Sequence, residues 1–147
     1  MKICRSLLFR IFLLLLTSVL QINRSYALDE SKSLVYETEL LHRINQYRTD
    51  NGLNPLSADR TLNKLARSHS RHMEEENVLS HDNFENRFRE CRHSSCVENV
   101  GWNSPTPRAQ LRAWESSKGH SANLLNRKIR YAGIAKVGAY VTFFACD

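Results

Sequence analysis

Three polar residues have side chains that could carry chemistry: His81, Glu98 and His120. Two imidazoles and one carboxylate suffice to hold Zn²⁺ with an open water position, and such a water could be activated for hydrolysis. The alternative is a hydrogen-bonded polar cluster that ties loop, strand and helix together and needs no substrate. Spacing alone does not bring the three residues together, because nothing local in the sequence connects them.

Other catalytic patterns are missing from the sequence. It contains no His-Glu-x-x-His zinc-protease motif, no Gly-x-Ser-x-Gly elbow and no glycine-rich phosphate loop. Ser116 and Ser117 precede His120, but a catalytic triad also needs a nucleophile within hydrogen-bond reach of its base, and no oxyanion-hole motif accompanies them. Serine chemistry is therefore not favoured.

The N-terminal segment has the three parts of a secretory signal. A basic start precedes a ten-residue apolar stretch at 11–20, and small residues at Ser25 and Ala27 fit a signal peptidase. The apolar run is half of what a spanning helix needs, so no stable membrane anchor is expected after cleavage. We therefore predict a signal peptide at residues 1–27, one domain at 28–147, and secretion to the periplasm or the extracellular space.

Charge argues against nucleic-acid binding. The chain has 147 residues with 21 Lys and Arg against 15 Asp and Glu. Four of the basic residues and none of the acidic ones lie in residues 1–27, which leaves a net charge of +2 for the remainder. Phosphate binding by nucleic-acid-binding domains rests on a dense basic surface, so no nucleic-acid partner is predicted.

Three cysteines remain after cleavage, and an oxidising destination predicts one disulfide with one cysteine left over. Cys91 and Cys96 close a short loop and are the preferred pair, although the sequence leaves a Cys96–Cys146 bridge open. Cys91, His93 and Cys96 also suggest zinc, but a fourth ligand at a matching spacing is missing. A disulfide is the favoured interpretation.

Hydrophobic periodicity predicts helices first and strands later. One helix is capped by Ser31 or Ser33 and ends at Asp50. A second helix runs from Ser57 to about Glu76, and a long polar surface loop is predicted at 77–96. The side chains expected on the inward faces of the two helices are Leu34, Leu40, Leu41, Ile44 and Tyr47, then Leu62, Leu65, Ala66, His69 and Met73. Because His69 lies on the apolar stripe of the second helix, it is expected to be a hydrogen-bonded core histidine.

The C-terminal half alternates strands and short helices. Residues 97–102 predict a strand, and Thr106-Pro107 predicts the start of a third helix that ends near Ser117. A short fourth helix is predicted at 121–126, followed by two strands at 131–135 and 140–145. Together these elements predict an α+β layered domain.

The order of several motifs resembles the CAP superfamily, also called the SCP/TAPS domain, in its short bacterial form. This superfamily includes cysteine-rich secretory, antigen 5 and pathogenesis-related proteins. The likeness runs from about residue 34 to residue 144. The matching segments are Arg48…Gly52-Leu53-Asn54-Pro55-Leu56, Ala66…His69-Ser70…Met73, Ser80-His81, Glu98-Asn99-Val100, Trp114…Gly119-His120…Asn123-Leu124-Leu125 and Gly133-Ile134.

The resemblance implies a three-layer α-β-α sandwich with a central antiparallel sheet, and a shallow cavity lined by two His and two acidic residues. His81, Glu98 and His120 match three of the four cavity positions. The fourth position, usually Glu, is Ser117 here, and Glu115 lies two residues too early to replace it. The resemblance therefore implies an incomplete set of ligands.

These observations lead to one preferred function and two alternatives. The preferred function is a secreted, monomeric, non-enzymatic binding module that requires no cofactor but can bind Zn²⁺ or another divalent metal weakly through His81 and His120. Family resemblance implies an extracellular protein or a small hydrophobic ligand, such as a sterol or fatty acid, as partner. The alternatives are a metal-dependent hydrolase that uses His81, Glu98 and His120, and an interaction protein directed at the cell envelope or a host through its basic C-terminal part.

Overall fold

The computed structural model describes the backbone of residues 2–147 and the side chains of Gln21, Arg24 and residues 27–147. The chain divides into two compact units, Met1–Lys32 and Ser33–Asp147. No helix in the described part of the chain has the length and apolar character that crossing a bilayer requires. In chain order the elements are α1 (Lys2–Asp50), β1 (Ser57–Ala58), α2 (Arg60–Glu76), α3 (Phe84–Cys91), β2 (Cys96–Trp102), α4 (Pro107–Glu115), α5 (Lys118–Leu124), β3 (Tyr131–Val137) and β4 (Tyr140–Cys146).

Helix α1 ends at Asp50 as predicted, but its predicted start is wrong. The helix begins at Lys2, so neither Ser31 nor Ser33 caps it. The first 50 residues contain no Gly and no Pro, and therefore no residue that strongly interrupts a helix. Gly52 ends the helical path in the left-handed region, with φ of +72°. The predicted signal peptide at residues 1–27 consists almost entirely of residues whose side chains are outside the described part of the structure, and it stays a prediction.

The packed face of α1 in the second unit begins later than the sequence suggested. Leu40 and Ile44 are fully buried as predicted, whereas the side chain of Leu34 is 60% exposed. Tyr36 and Arg48 are buried on this helix instead. Burial raises the pKa of the Tyr36 hydroxyl to about 12. Glu37 is buried as well, at 4% exposure, so the helix contributes three polar side chains to the interior as well as an apolar face.

Helix α2 carries the apolar stripe that the sequence predicted. It begins at Arg60 and not at Ser57, because residues 57–58 form β1. The side chain of Asp59 caps the helix by accepting the N–H of Leu62 at 2.8 Å. The buried residues of this helix include all five predicted members of the stripe: Leu62, Leu65, Ala66, His69 and Met73.

The predicted surface loop at 77–96 is only partly correct, because it contains helix α3. Phe84 and Phe88 lie one turn apart on this helix, with ring centroids 6.3 Å apart. Phe84 also makes an edge-on contact with Phe144 of the sheet, at a centroid distance of 6.0 Å. Tertiary contact of a short amphipathic segment therefore stabilises a helix among residues that are mostly polar.

A four-stranded sheet forms the centre of the second unit, with strand order β1-β3-β4-β2. β3 and β4 form the predicted hairpin, and β2 pairs antiparallel with β4. The two-residue β1 was not predicted, and it pairs parallel with β3. The sheet is therefore antiparallel apart from this short parallel edge.

Helices cover both faces of the sheet, which confirms the predicted α-β-α sandwich. Adjacent residues of β4 point to opposite faces, and both Phe143 and Phe144 are fully buried. Phe143 packs with Leu40 and Ile44 of α1 and with Trp114 of α4. Phe144 packs with residues of α2 and α3. The sheet therefore separates two apolar layers.

The prediction of a Cys91–Cys96 disulfide is wrong in this structure. The bridge joins Cys96 to Cys146, and Cys91 is a buried free thiol. Cys96 and Cys146 are direct partners in the β2–β4 register, with Cα atoms 4.1 Å apart. Strand pairing therefore brings together two cysteines that are 50 residues apart in the chain. The Cys91 sulfur lies 3.4 Å from that of Cys96 and 3.7 Å from that of Cys146, and we call these three residues the cysteine cluster.

Candidate functional site

Glu98 is the centre of the candidate site. It lies on β2 with a side chain that is 1% exposed, and both carboxylate oxygens accept hydrogen bonds. Arg87 donates from Nε to Oε2 and from Nη2 to Oε1, each at 2.8 Å. Nδ1 of His81 lies 2.9 Å from Oε1. Two predicted site residues, His81 and Glu98, are therefore in direct contact.

Arg87 is the main functional residue that sequence reasoning missed. Helix α3 places it beneath the loop that carries His81, where it is 7% exposed. Its Nη1 donates to the backbone oxygen of Asp82 at 2.7 Å, so that one guanidinium holds both the loop and the buried carboxylate. The sequence feature that could have indicated this helix is the four-residue spacing of Phe84 and Phe88, because Arg87 lies between them on the same helical turn.

A further histidine, His69 of α2, lies beside this pair. Its Nε2 donates to the backbone oxygen of Ser80 at 2.9 Å and lies 3.7 Å from Oε1 of Glu98. Its Nδ1 has no hydrogen-bond partner among the described residues. Burial lowers the pKa of His69, and the charge of Arg87 lowers it further, although the Glu98 carboxylate opposes both effects. The sequence prediction of a hydrogen-bonded core histidine is confirmed.

His120 lies in the first turn of α5, and its side chain makes no hydrogen bond to His81 or Glu98 in the described part of the chain. Its backbone oxygen accepts a hydrogen bond from Asn99 Nδ2 at 3.0 Å. Nδ2 of Asn123 donates to the backbone oxygen of Glu98 at 3.0 Å and to Oδ1 of Asn99 at 2.9 Å. These amides fix α5 to the strand that carries Glu98. The pKa of His120 is lowered, first by burial and then by the nearby His81 imidazole.

The outer edge of β2 is closed by side chains and not by another strand. Besides the Asn123 bond to Glu98, Nε1 of Trp114 donates to the backbone oxygen of Val100 at 2.9 Å. The predicted cap of α4 is confirmed, since Oγ1 of Thr106 accepts the N–H of Ala109. A well-capped helix therefore satisfies an edge strand that would otherwise present unpaired carbonyls.

The fourth position of the family's ligand set lies at the start of α5. Ser117 is the N-cap residue of this helix, but its side chain makes no capping hydrogen bond. Glu115 lines a different cavity together with Glu39 and His42 of α1. The structure therefore provides no carboxylate from Glu115 to replace the missing acid beside His81 and His120.

The residues at this site do not fit a tightly held metal ion. Arg87 occupies both oxygens of Glu98, and its positive charge would repel a cation placed beside them. His81 directs Nδ1 to the same carboxylate, so its Nε2 is the nitrogen left for a ligand. Within the described residues, one group of three or more His, Cys, Asp or Glu has all its ligand atoms within 4.8 Å, and it is the cysteine cluster.

What the arrangement presents to solvent is an oriented imidazole. The His81 side chain is 53% exposed, and its contact with the buried carboxylate fixes the ring. A cavity of about 390 Å³ adjoins the same cluster and is lined by His69, Arg87 and Asn83 among others. The geometry suits hydrogen-bonded recognition at a rigid surface.

Comparison with known proteins places this fold in a family. The sequence model of the cysteine-rich secretory protein family, CAP, matches residues 41–147. An uncharacterised protein of Bacillus subtilis, YkwD, is 30% identical over 109 residues, which are 69% of this chain and 42% of that protein. The chain thus spans less than half the length of this relative.

Solved structures agree on the fold. An extracellular SCP-domain protein of Bacillus anthracis superposes with a TM-score of 0.74 at 24% identity, covering 78% of this chain and 41% of that one. A cysteine-rich secretory protein of Staphylococcus aureus gives 0.70 at 20% identity, with 78% and 38% covered. An outer surface protein of Borrelia burgdorferi gives 0.68 at 20% identity, with 75% and 90% covered. With its family match over residues 41–147 and its α-β-α sandwich, this chain belongs to the CAP superfamily.

Proposed function

We propose that this protein is a secreted, monomeric, non-enzymatic binding module that presents His81 and His120 beside a rigid polar cluster. The observation that carries the proposal is the bidentate pairing of Arg87 with the buried Glu98. A carboxylate held in this way has its oxygens committed to hydrogen bonds, which suits a scaffold better than a general base or a metal ligand. The two histidines bind a divalent metal only weakly.

Secretion is supported by the relatives and by the chain itself. One structural relative is described as an extracellular protein and another as an outer surface protein. The sequence adds the predicted leader at residues 1–27, and the structure adds a disulfide, which is typical of oxidising compartments. We propose the periplasm or the extracellular space as the location of residues 28–147.

Apolar side chains beside His81 support a hydrophobic ligand or a protein partner. Val78 and Leu79 are 53% and 49% exposed, and they lie directly before the loop that carries His81. Exposed apolar residues that adjoin polar groups are typical of binding surfaces. We propose a fatty acid, a sterol or an apolar patch of an extracellular protein as the class of ligand.

Fluorescence tests this ligand class directly. The chain has two tryptophans, of which Trp102 is 56% exposed and Trp114 is 1% exposed. Titration with a fatty acid and with a soluble sterol should change the emission, and a Val78→Ser/Leu79→Ser variant should lose the response. The matched control, Leu34→Ser/Val35→Ser, replaces two exposed apolar residues of α1 and should respond as the parent does.

The metal-dependent hydrolase is the alternative function, and calorimetry separates it from the binding module. Zn²⁺ titration of the purified chain should give a Kd weaker than about 1 μM. A His81→Ala/His120→Ala variant should remove that weak binding, and His42→Ala, at an exposed position of α1, should leave it unchanged. Sub-micromolar binding that is lost in the double variant would contradict our proposal and support the hydrolase.

A further inference from the structure

A second cavity lies at the end of α1, apart from the histidine site. It has a volume of about 570 Å³, within the range usual for small-molecule sites. The segment after α1 and the segment before β3 form its walls, and none of its lining residues is Asp or Glu. Those that matter for its chemistry are Arg48, Asn54, Ser57, Arg127, Arg130 and Tyr131.

Arg48 forms the buried part of this cavity. It is 2% exposed, and its Nε donates to the backbone oxygen of Asn54 at 3.0 Å. Its Nη1 donates to the backbone oxygens of Leu124 and Asn126, at 2.6 and 3.1 Å. No carboxylate pairs with this guanidinium among the described residues, and Nη2 has no hydrogen-bond partner there. Burial lowers the pKa of Arg48, as expected for a cation held without a counter-ion.

Arg127 and Arg130 add two exposed guanidinium groups to the same cavity. Within residues 33–147, neither side chain makes a hydrogen bond or an ion pair. Arg48 has a structural task, because it ties α1 to the end of α5, but no such task explains the other two. Three arginines therefore converge on one cavity that contains no acidic side chain to neutralise them.

We propose that this cavity binds a phosphate group, either free or carried on a larger molecule. Guanidinium groups bind tetrahedral oxoanions through paired, charge-assisted hydrogen bonds, and three of them match the charge of a phosphate better than that of a single carboxylate. The backbone oxygens around Arg48 satisfy part of its donor set and leave Nη2 for a ligand. This proposal does not depend on the function proposed for His81 and His120.

Calorimetry with inorganic phosphate, glycerol phosphate and acetate tests the proposal. In a low-salt buffer the full chain should bind phosphate or its ester, and an Arg127→Gln/Arg130→Gln variant should bind at least about tenfold more weakly. The matched control is Arg108→Gln/Arg112→Gln, which removes two exposed arginines of α4 and should bind within about twofold of the parent. Binding of the ester alone would assign the site to a phosphorylated molecule, and binding of both would include free phosphate.

Three results would overturn the assignment. The first is no binding of phosphate or ester, and the second is equal weakening in both arginine variants, which would indicate general charge attraction. The third is acetate binding as tight as phosphate binding. As a second check, phosphate should raise the Tm of the parent more than that of the Arg127→Gln/Arg130→Gln variant, because the general stabilising effect of phosphate acts on both proteins alike. An equal rise in the two proteins would also contradict a specific site.

Discussion

Replacing Arg87 with Gln should strongly destabilise the fold, because the substitution leaves Glu98 buried without its counter-ion. The Glu98 side chain is 1% exposed and receives two hydrogen bonds of 2.8 Å from Arg87. Breaking a buried ion pair by removing one partner costs about 3–5 kcal/mol. Since a domain of this size loses roughly 4 °C of Tm for each kcal/mol, Tm should fall by about 12–20 °C.

Urea and thermal unfolding followed by circular dichroism measure this effect. The matched control is Arg89→Gln, which removes an exposed arginine from the same helix and should change the free energy of unfolding by less than about 0.5 kcal/mol. Comparison of the two variants separates the buried ion pair from any general loss of charge or of helix propensity in α3.

A double variant tests the physical reason for the loss. Arg87→Met/Glu98→Leu replaces both charges with apolar side chains, and replacement of a whole buried pair is often close to neutral. We therefore expect the double variant to recover at least half of the Tm that Arg87→Gln loses. If Arg87→Gln shifts Tm no more than Arg89→Gln does, the buried pair does not stabilise the loop that carries His81, and the reasoning fails.

Three further outcomes follow from the structure. Because burial depresses the pKa of His69 below its ordinary value of 6.5, the unfolded chain takes up a proton at a higher pH than the folded chain does. The free energy of unfolding should therefore fall as the pH drops below 6.5. Urea unfolding at about pH 7.5 and about pH 5.5 measures this fall, which should be smaller in a His69→Gln variant. A Gly133→Ala variant should lose about 1–3 kcal/mol of unfolding free energy, because its Cβ would overlap the backbone of α2, whereas Gly119→Ala has open space and should not. In a Cys146→Ser variant the other two members of the cysteine cluster should form a disulfide, and peptide mapping that finds both as free thiols under oxidising conditions would contradict the sulfur geometry.

Local pattern was enough to predict most elements of the second unit. The apolar stripe of α2, the Thr106 cap of α4 and the closing hairpin depend on side-chain periodicity and on turn residues, which act over a few positions. Motif order also led to His81, Glu98 and His120 as candidate site residues. The structure joins the first two directly, and hydrogen bonds of Asn99 and Asn123 hold the third on the adjoining helix.

The remaining features were decided by contacts between distant segments. Helix α3 is stabilised by packing of Phe84 on the sheet, so its polar sequence gave a weak signal. The disulfide follows from the register of β2 on β4, which pairs Cys96 with Cys146, and sequence proximity favoured Cys91 instead. The sequence alone determined the layers, most elements and three candidate residues. Only the tertiary structure decided that Arg87 neutralises Glu98, because a buried charge selects its partner in space and not along the chain.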